Sequence, residues 1–221
     1  MSDDRPEEDE GPPRGRPGVP LPVLLLVLGI GAIELALSAA DEGFFGPDYL
    51  RLQVYAYGAF WGELLATREP IFAAQPVTMF VTHAFLHGGM VHMLLNMVVT
   101  LSVGKLVAES AGSARMILAF LICAVAGAGA FALIGPTAAV LVGASGAVFG
   151  LFGIWKCWEY RWRRARGLSL RPVWSFIIVL ALINVPLFIA LSGALAWEAH
   201  LGGFAAGWLI APAIARRPYP G

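Results

Sequence analysis

The sequence predicts an all-α polytopic membrane protein, a bundle of six transmembrane helices with a long first loop at the membrane interface. Hydrophobic residues make up 58% of the chain and charged residues only 14%, and the mean hydropathy is +0.72. Ordinary soluble domains are about one-quarter charged. The charges are also clustered, since residues 116–155 contain none. A transmembrane helix needs roughly 20 mainly apolar residues, so such stretches predict membrane spans.

Six apolar segments are each about long enough to cross a bilayer. In chain order they are residues 20–40, 89–108, 114–134, 138–157, 173–191 and 196–214. We expect one membrane domain over residues 20–215. The charged, proline-rich residues 1–19 predict a disordered cytoplasmic tail, and residues 216–221 a short second tail.

The basic residues predict an orientation with both termini in the cytoplasm. The third and fifth connections contain no Lys or Arg, whereas basic residues follow the last span. Positive charge in short loops marks the cytoplasmic side, so the protein is expected in the cell membrane, with even-numbered spans running inward. The fourth connection is the most basic one, with Lys156, Arg161, Arg163, Arg164, Arg166 and Arg171.

The first connection, residues 41–88, lies outside in this topology and is rich in aromatic side chains. Amphipathic aromatic sequence beside a membrane usually lies in the interface, which is the prediction for this loop. A folded extracellular loop without membrane contact is the alternative. The aromatic residues are Phe44, Phe45, Tyr49, Tyr55, Tyr57, Phe60 and Trp61.

Three spans bring polar side chains to one depth. Polar groups inside a bilayer are costly, so each needs a partner or a purpose. His92 lies about three residues into span two, Ser145 about seven into span four, and His200 about four into span six. All are therefore within roughly 5–11 Å of the outer end. Asn96 lies one turn below His92 on the same face.

Ser145 and His200 form a candidate nucleophile and base, because a serine hydroxyl needs a neighbouring base to take its proton. Small residues at three- and four-residue steps would let the two helices approach closely. They are Gly143, Gly146, Gly150 and Gly153 on span four, and Gly203 and Gly207 on span six. His92, Asn96 and the Ser145 N–H are candidate donors to an oxyanion.

No acidic third member accompanies this pair, so the sequence predicts a dyad. Glu198 is two residues from His200 and points to another face, and Glu34 has no assigned role. Taken singly, each feature has a structural interpretation: serine bonding to its own helix, a packing G-x-x-x-G, a structural histidine. Their common depth favours the functional interpretation.

Metal binding is the other hypothesis that the histidines raise. His83, His87 and His92 fall within ten residues, but no Cys or acidic ligand lies between them and two glycines interrupt the helical spacing. A structural role in tying the loop to the span is favoured for His83 and His87. Cys123 and Cys157 lack metal-site spacing and predict packing residues without a disulfide.

Three motifs resemble those of the rhomboid family of intramembrane serine proteases. HMLLN (92–96) resembles its H-x-x-x-N, GASG (143–146) its G-x-S-G, and AHLGGFAAG (199–207) its A-H-x-x-G-x-x-x-G. They occur in the family's order on spans two, four and six, and the resemblance covers about residues 20–215. It implies a six-helix core with a membrane-embedded first loop.

By this resemblance, Ser145 would be the nucleophile and His200 the base, with His92, Asn96 and the Ser145 amide as the oxyanion hole. Gly143, Gly146, Gly203 and Gly207 belong to the matched motifs and would support the site. Phe149 matches a position where many members stack a Tyr on the base. His87 matches a family histidine in the first loop.

The resemblance also implies the partners. Substrates would be transmembrane proteins cut near the outer boundary, often after a small residue, and neither metal, cofactor nor nucleic acid is expected. Span five and the loop Ser192–Trp197 would form a substrate gate. One departure concerns a Trp-Arg pair that the family often carries in the first loop. Val77 and Thr78 stand there, which puts the anchoring of this loop in question.

Two other classes of function stay open from the sequence. A non-proteolytic rhomboid-like protein that binds membrane clients would keep the fold and tolerate loss of Ser145. A transporter or channel would show inverted repeats or intramembrane polar groups along a path. Glu34, Asn184 and Pro186 are the only candidates for such a path.

Overall fold

The computed structural model describes residues 18–66, 68–190 and 195–215. Most of the predicted N-terminal tail and the predicted C-terminal tail lie outside the described residues. Of the predicted gate loop Ser192–Trp197, the first three residues also lie outside them.

The described chain is helical, with one short strand pair. The helices are α1 (Leu21–Asp41), α2 (Leu50–Gly58), α3 (Gln75–Thr82), α4 (Met90–Ala111), α5 (Ser113–Ile134), α6 (Ser145–Ala165), α7 (Arg171–Ala190) and α8 (Trp197–Ile214); the strands are β1 (Phe60–Trp61) and β2 (Val140–Leu141). Each of the six apolar segments thus contains one long helix, as predicted. The first loop contains α2, β1 and α3.

The all-α polytopic membrane fold is confirmed. Within the described residues, α1, α4 and α5 are long and apolar enough to cross a membrane, and α7 contributes a shorter apolar stretch, Arg171–Pro186. Helix α6 carries many charges in its second half, and the first turn of α8 contains Glu198 and His200, so both helices have a lower hydropathy. The count of six spans stays a prediction.

The predicted boundaries of the fourth span are wrong at its outer end. Residues 138–144 are not helical, because Val140–Leu141 pair antiparallel with Phe60–Trp61 and Gly143 has φ +117°. That φ favours glycine and cannot continue a right-handed helix. The Gly143 N–H donates instead to the His83 carbonyl at 2.9 Å. Ser145 is therefore the first residue of α6, not a residue two turns inside a span.

Helices α6 and α8 touch through their backbones. A Cβ atom on Gly203 would overlap the carbonyl of Gly146, and one on Gly207 would overlap the carbonyl of Gly150. On the α6 side, a Cβ on Gly153 would overlap the Phe204 carbonyl. These five glycines form what we call the glycine seam. It brings the two helices to a separation that no larger residue allows.

Around the seam, large apolar side chains face in two directions. Met116, Phe120, Leu151 and Ile154 are wholly buried between the helices. On the outside, the longer helices other than α6 expose large apolar residues, for example Leu28, Val98, Leu133, Ile178 and Leu209. Such an exposed apolar surface is rare on soluble monomers and suits a lipid environment.

The aromatic residues of the first loop divide into two groups. Phe44 and Tyr49 are well exposed, with 82% and 61% of their surface accessible, as an interfacial position requires. Phe60 is wholly buried and packs edge-on against Phe80 and Phe131. Phe60 therefore contributes no aromatic surface to an interface, because β1 carries it into the interior beside α5. The interfacial position of the loop as a whole stays a prediction.

The glycine seam predicts a sharp stability difference between two Gly→Ala variants. Gly207→Ala should lower the free energy of unfolding by about 1–3 kcal/mol or more, because its Cβ overlaps a backbone carbonyl that cannot rotate away. Gly129→Ala on α5 is the control, since nothing lies within 4 Å of its Cβ. Thermal denaturation in detergent micelles measures both. Equal melting temperatures for the two variants would contradict the described contact.

Candidate active site

Ser145 is the first residue of α6, and this position leaves its backbone N–H and its hydroxyl available for a ligand. The first four N–H groups of a helix lack intrahelical acceptors, so the Ser145 N–H lies at the positive end of the helix dipole. Within the part of the chain that the structure describes, the Ser145 hydroxyl makes no hydrogen bond. It does not bond back to its own helix, which the structural interpretation of this serine would require.

His200 lies on the Ser145 face of α6. It is the fourth residue of α8 and only 6% exposed. Its ring stacks on Phe149, with 4.0 Å between the centroids and 8° between the planes. Phe149 is four residues after Ser145, so the two share one face of α6. No hydrogen bond joins Ser145 to His200 among the described residues; such bonds are often long in unliganded sites and tighten with substrate.

Asn184 on α7 is a neighbour of His200 that the sequence analysis missed. Its Oδ1 lies 2.6 Å from His200 Nδ1, and its Nδ2 donates to the Leu180 carbonyl at 2.7 Å. The sequence marked Asn184 only as a possible transport residue. Spacing along the chain could not reveal the contact, because sixteen positions and a loop separate the two residues.

A cavity of about 230 Å³ adjoins this contact between α6, α7 and α8. Asn184 and His200 meet at its wall. The other lining side chains are almost all apolar, and Trp197 at the start of α8 contributes an indole. The histidine therefore faces a mostly apolar space with room for a small side chain.

His92 lies against the loop that precedes Ser145. A Cβ on Gly143 would come within 2.6 Å of His92 Cε1, so only glycine leaves space for the imidazole. This corrects the predicted place of Gly143, which faces α4 and not α8. Asn96 is 5% exposed, and its Nδ2 donates to the His92 carbonyl at 3.0 Å. An amide nitrogen carries two hydrogens, so one donor of Asn96 remains.

The His87 ring and the His83 carbonyl hydrogen-bond the first loop to the residues just before Ser145, whereas the His83 ring bonds within the loop. His87 is wholly buried, and its Nε2 accepts the N–H of Ala144 at 3.3 Å. His83 Nδ1 contacts the Met79 carbonyl at 2.9 Å. Burial lowers the pKa of His83 to about 4, and burial together with the charge of His92 lowers that of His87 to about 3. Both rings are therefore neutral at physiological pH.

No cluster of three or more metal-ligating side chains occurs in the described ranges. The ring of His87 contacts Ala144 outside the first loop, and the ring of His83 contacts Met79 within it. Cys123 and Cys157 are both free and buried.

A buried ion pair anchors the first loop. Glu34 on α1 is wholly buried and receives two hydrogen bonds from Arg51 on α2, at 2.9 and 3.1 Å. Arg51 also donates to the His87 carbonyl at 2.9 Å, and the Tyr55 hydroxyl donates to the same oxygen. The loop is thus held without a Trp-Arg pair at Val77 and Thr78. Sequence reasoning left Glu34 unassigned because its partner lies on another element.

Together, fold and site define a helical, multi-pass membrane protein whose serine and histidine lie on the facing sides of two closely packed helices. The Rhomboid domain matches residues 74–217, well over half of the chain. The chain therefore belongs to the Rhomboid family, as its three motifs indicate.

Three relatives are similar over this region. RHOMBOID-like protein 4 of Arabidopsis thaliana is 32% identical over 62% of this chain and 34% of its own length. Rhomboid protease GluP of Bacillus subtilis (strain 168) is 31% identical over 72% of this chain and 29% of its own length. Rhomboid-like protein 11, chloroplastic, of Arabidopsis thaliana is 36% identical over 45% and 35%. The matches span about a third of each relative.

Removing Arg51 should destabilise the protein strongly. Arg51→Met leaves the Glu34 carboxylate buried and unpaired, which typically costs about 3–5 kcal/mol of unfolding free energy. The double variant Glu34→Gln/Arg51→Met should recover part of this loss. Lys105→Met is the control, since it breaks a half-exposed pair with Glu109 at 3.8 Å that is worth less than about 1 kcal/mol. Denaturation in detergent measures all three; similar losses for Arg51→Met and Lys105→Met would contradict the anchor.

Stability should also fall as the pH is lowered. The pKa of His87 is about 3 in the folded protein and 6.5 ordinarily, so below about pH 6.5 the unfolded chain binds a proton that the folded one does not. The loss approaches about 1.4 kcal/mol per pH unit for such a histidine. His87→Gln keeps a hydrogen-bond acceptor for Ala144 but does not titrate. Its stability, measured at pH 7, 6 and 5, should fall less steeply than that of the wild type; an equal slope would contradict the assignment.

Proposed function

We propose that this protein is an intramembrane serine endopeptidase that cleaves transmembrane protein substrates through Ser145 and His200. The observation that carries the proposal is the stacking of His200 on Phe149, one turn from Ser145 on the same face of α6. A half-buried serine whose hydroxyl makes no hydrogen bond within the described residues, and an imidazole held on the adjoining helix, are the two groups that acyl transfer to serine requires.

In the proposed reaction, Ser145 Oγ attacks the carbonyl carbon of the scissile peptide while His200 takes the hydroxyl proton. The carbonyl π electrons move onto oxygen, giving a tetrahedral oxyanion. Its collapse breaks the C–N bond, and the imidazolium gives its proton to the leaving amine. Water then attacks the acyl-serine with the same histidine as base, which releases the second product and restores Ser145.

Three donors near Ser145 support an oxyanion hole. The Ser145 N–H opens α6, where the helix dipole favours negative charge. The His92 ring lies against Gly143, two residues earlier, and Asn96 keeps one amide hydrogen free. Preorganised donors of this kind are typically the largest single contribution to such catalysis. We assign His92, Asn96 and the Ser145 amide to this role.

The placement of the site supports transmembrane substrates. Ser145, His92 and His200 all lie in the first turn of their helices, at the end that the basic residues put outside. The proposed cleavage site is therefore near the outer membrane boundary, in a protein of the cell membrane with cytoplasmic termini. The relative named Rhomboid protease GluP supports a proteolytic activity.

Cleavage in proteoliposomes tests the proposal. The wild type should cleave a reporter protein with one transmembrane helix, and Ser145→Ala should lose the activity by at least about 10³-fold because it lacks the nucleophile. A fluorophosphonate probe should label the wild type and not Ser145→Ala. Melting temperatures of both proteins control for folding.

Two results would contradict the proposal. Cleavage by both proteins would mean that another serine or a contaminant acts. A folded wild type that neither cleaves a panel of reporter helices nor reacts with the probe would favour the client-binding function.

A further inference from the structure

We propose that Asn184 is a positioning residue for His200, the base of the proposed Ser145–His200 dyad. The proposal rests on the function proposed above. It follows from one side-chain contact between α7 and α8: Asn184 Oδ1 lies 2.6 Å from His200 Nδ1.

The orientation of the Asn184 amide is fixed by a second bond. Its nitrogen and oxygen differ in what they can bind, since the nitrogen only donates and the oxygen only accepts. Nδ2 lies 2.7 Å from the Leu180 carbonyl, which can only accept. The nitrogen must therefore face Leu180, and the oxygen must face His200.

This orientation determines the tautomer of the histidine. Because Asn184 Oδ1 can only accept, the proton of the neutral imidazole must be on Nδ1. The lone pair is then on Nε2, which is the nitrogen that can take the Ser145 proton. In the opposite tautomer two acceptors would face each other at 2.6 Å, and no nitrogen would be free to act as the base.

Phe149 and Asn184 restrict different motions of the same ring. The stacking on Phe149 sets the plane of the imidazole, with 8° between the two rings. Stacking alone permits a half-turn about Cβ–Cγ, which keeps the plane but exchanges Nδ1 with a carbon. The bond to Asn184 is lost in that flipped state, so it selects one of the two orientations.

The surroundings strengthen this selection. The cavity beside the bond is lined mainly by apolar side chains, among them Ile177, Leu180 and Phe204. In such low-dielectric surroundings a hydrogen bond is stronger, and an unpaired N–H is costly. Asparagine is also chemically sufficient, because Cys-His-Asn proteases use an amide oxygen in this role.

The first test reads the tautomer without any substrate. The protein contains four histidines, so nitrogen-15 NMR of histidine-labelled protein in bilayers at pH 8 gives four imidazoles, and His200→Gln identifies the signal of interest. Wild-type His200 should carry its proton on Nδ1. In Asn184→Leu, which keeps the volume but not the acceptor, a mixture of tautomers should appear. An Nε2-protonated wild type, or no change in the variant, would overturn the proposal.

The second test separates positioning from mere packing. Asn184→Leu should lower kcat by about 10- to 100-fold with KM changed less than about threefold, since the ring and not substrate binding is affected. Asn184→Asp keeps an oxygen acceptor and should recover most of kcat. Leu133→Ala, at an exposed position on α5 and therefore outside the predicted gate, is the control and should behave as the wild type.

If Asn184 served only to link α7 and α8 structurally, the variants would give a different result from the one expected above. In that case Asn184→Leu and Asn184→Asp would lose activity equally, KM would rise, and the melting temperature would fall with it; this outcome overturns the proposal. If the wild type showed no proteolysis at all, the proposed function would fail, whereas the tautomer measurement would still decide the role of Asn184.

Discussion

The direct backbone contact between α6 and α8 is the constraint on which the rest of the structure depends. At Gly203 and Gly207 the backbone of α8 is so close to the carbonyls of Gly146 and Gly150 that no side chain fits between the two helices. This separation lets a histidine on the first turn of α8 stack on a ring that belongs to α6. A wider spacing would separate His200 from the α6 ring on which it stacks and would leave the Ser145 hydroxyl without a neighbouring base.

A second set of contacts places the residues just before Ser145. It runs from Glu34 on α1 through Arg51 on α2 to the carbonyl of His87, whose ring accepts the N–H of Ala144. Each of these bonds joins two different elements, and most of the bonded groups are buried. Replacing one residue therefore leaves the polar group of its partner buried without that hydrogen bond. The first loop is thereby part of the support of the serine, although it contributes no reacting group.

The sequence predicted the helices well, because hydropathy over some twenty residues reports directly on burial in lipid. It failed at residues 138–144, which are apolar but extended, since hydropathy does not register the φ of Gly143 or a strand partner at Phe60. Ser145, His200, His92 and Asn96 could be singled out from motif spacing and depth. The roles of Arg51 and Asn184 could not be predicted, because their contacts join different elements. No local sequence pattern indicates which elements pack together.

The glycine seam also bears on how a protein of this architecture can diverge. Positions that meet a backbone carbonyl admit one residue, whereas the lipid-facing positions of α1, α4 and α7 accept almost any apolar side chain. Substitutions should therefore accumulate quickly over most of the surface and hardly at all along the seam. The three relatives are 31–36% identical over the matched parts of this chain, so most matched positions differ. Two such chains can differ at most positions and still hold their α6 and α8 backbones at the same separation.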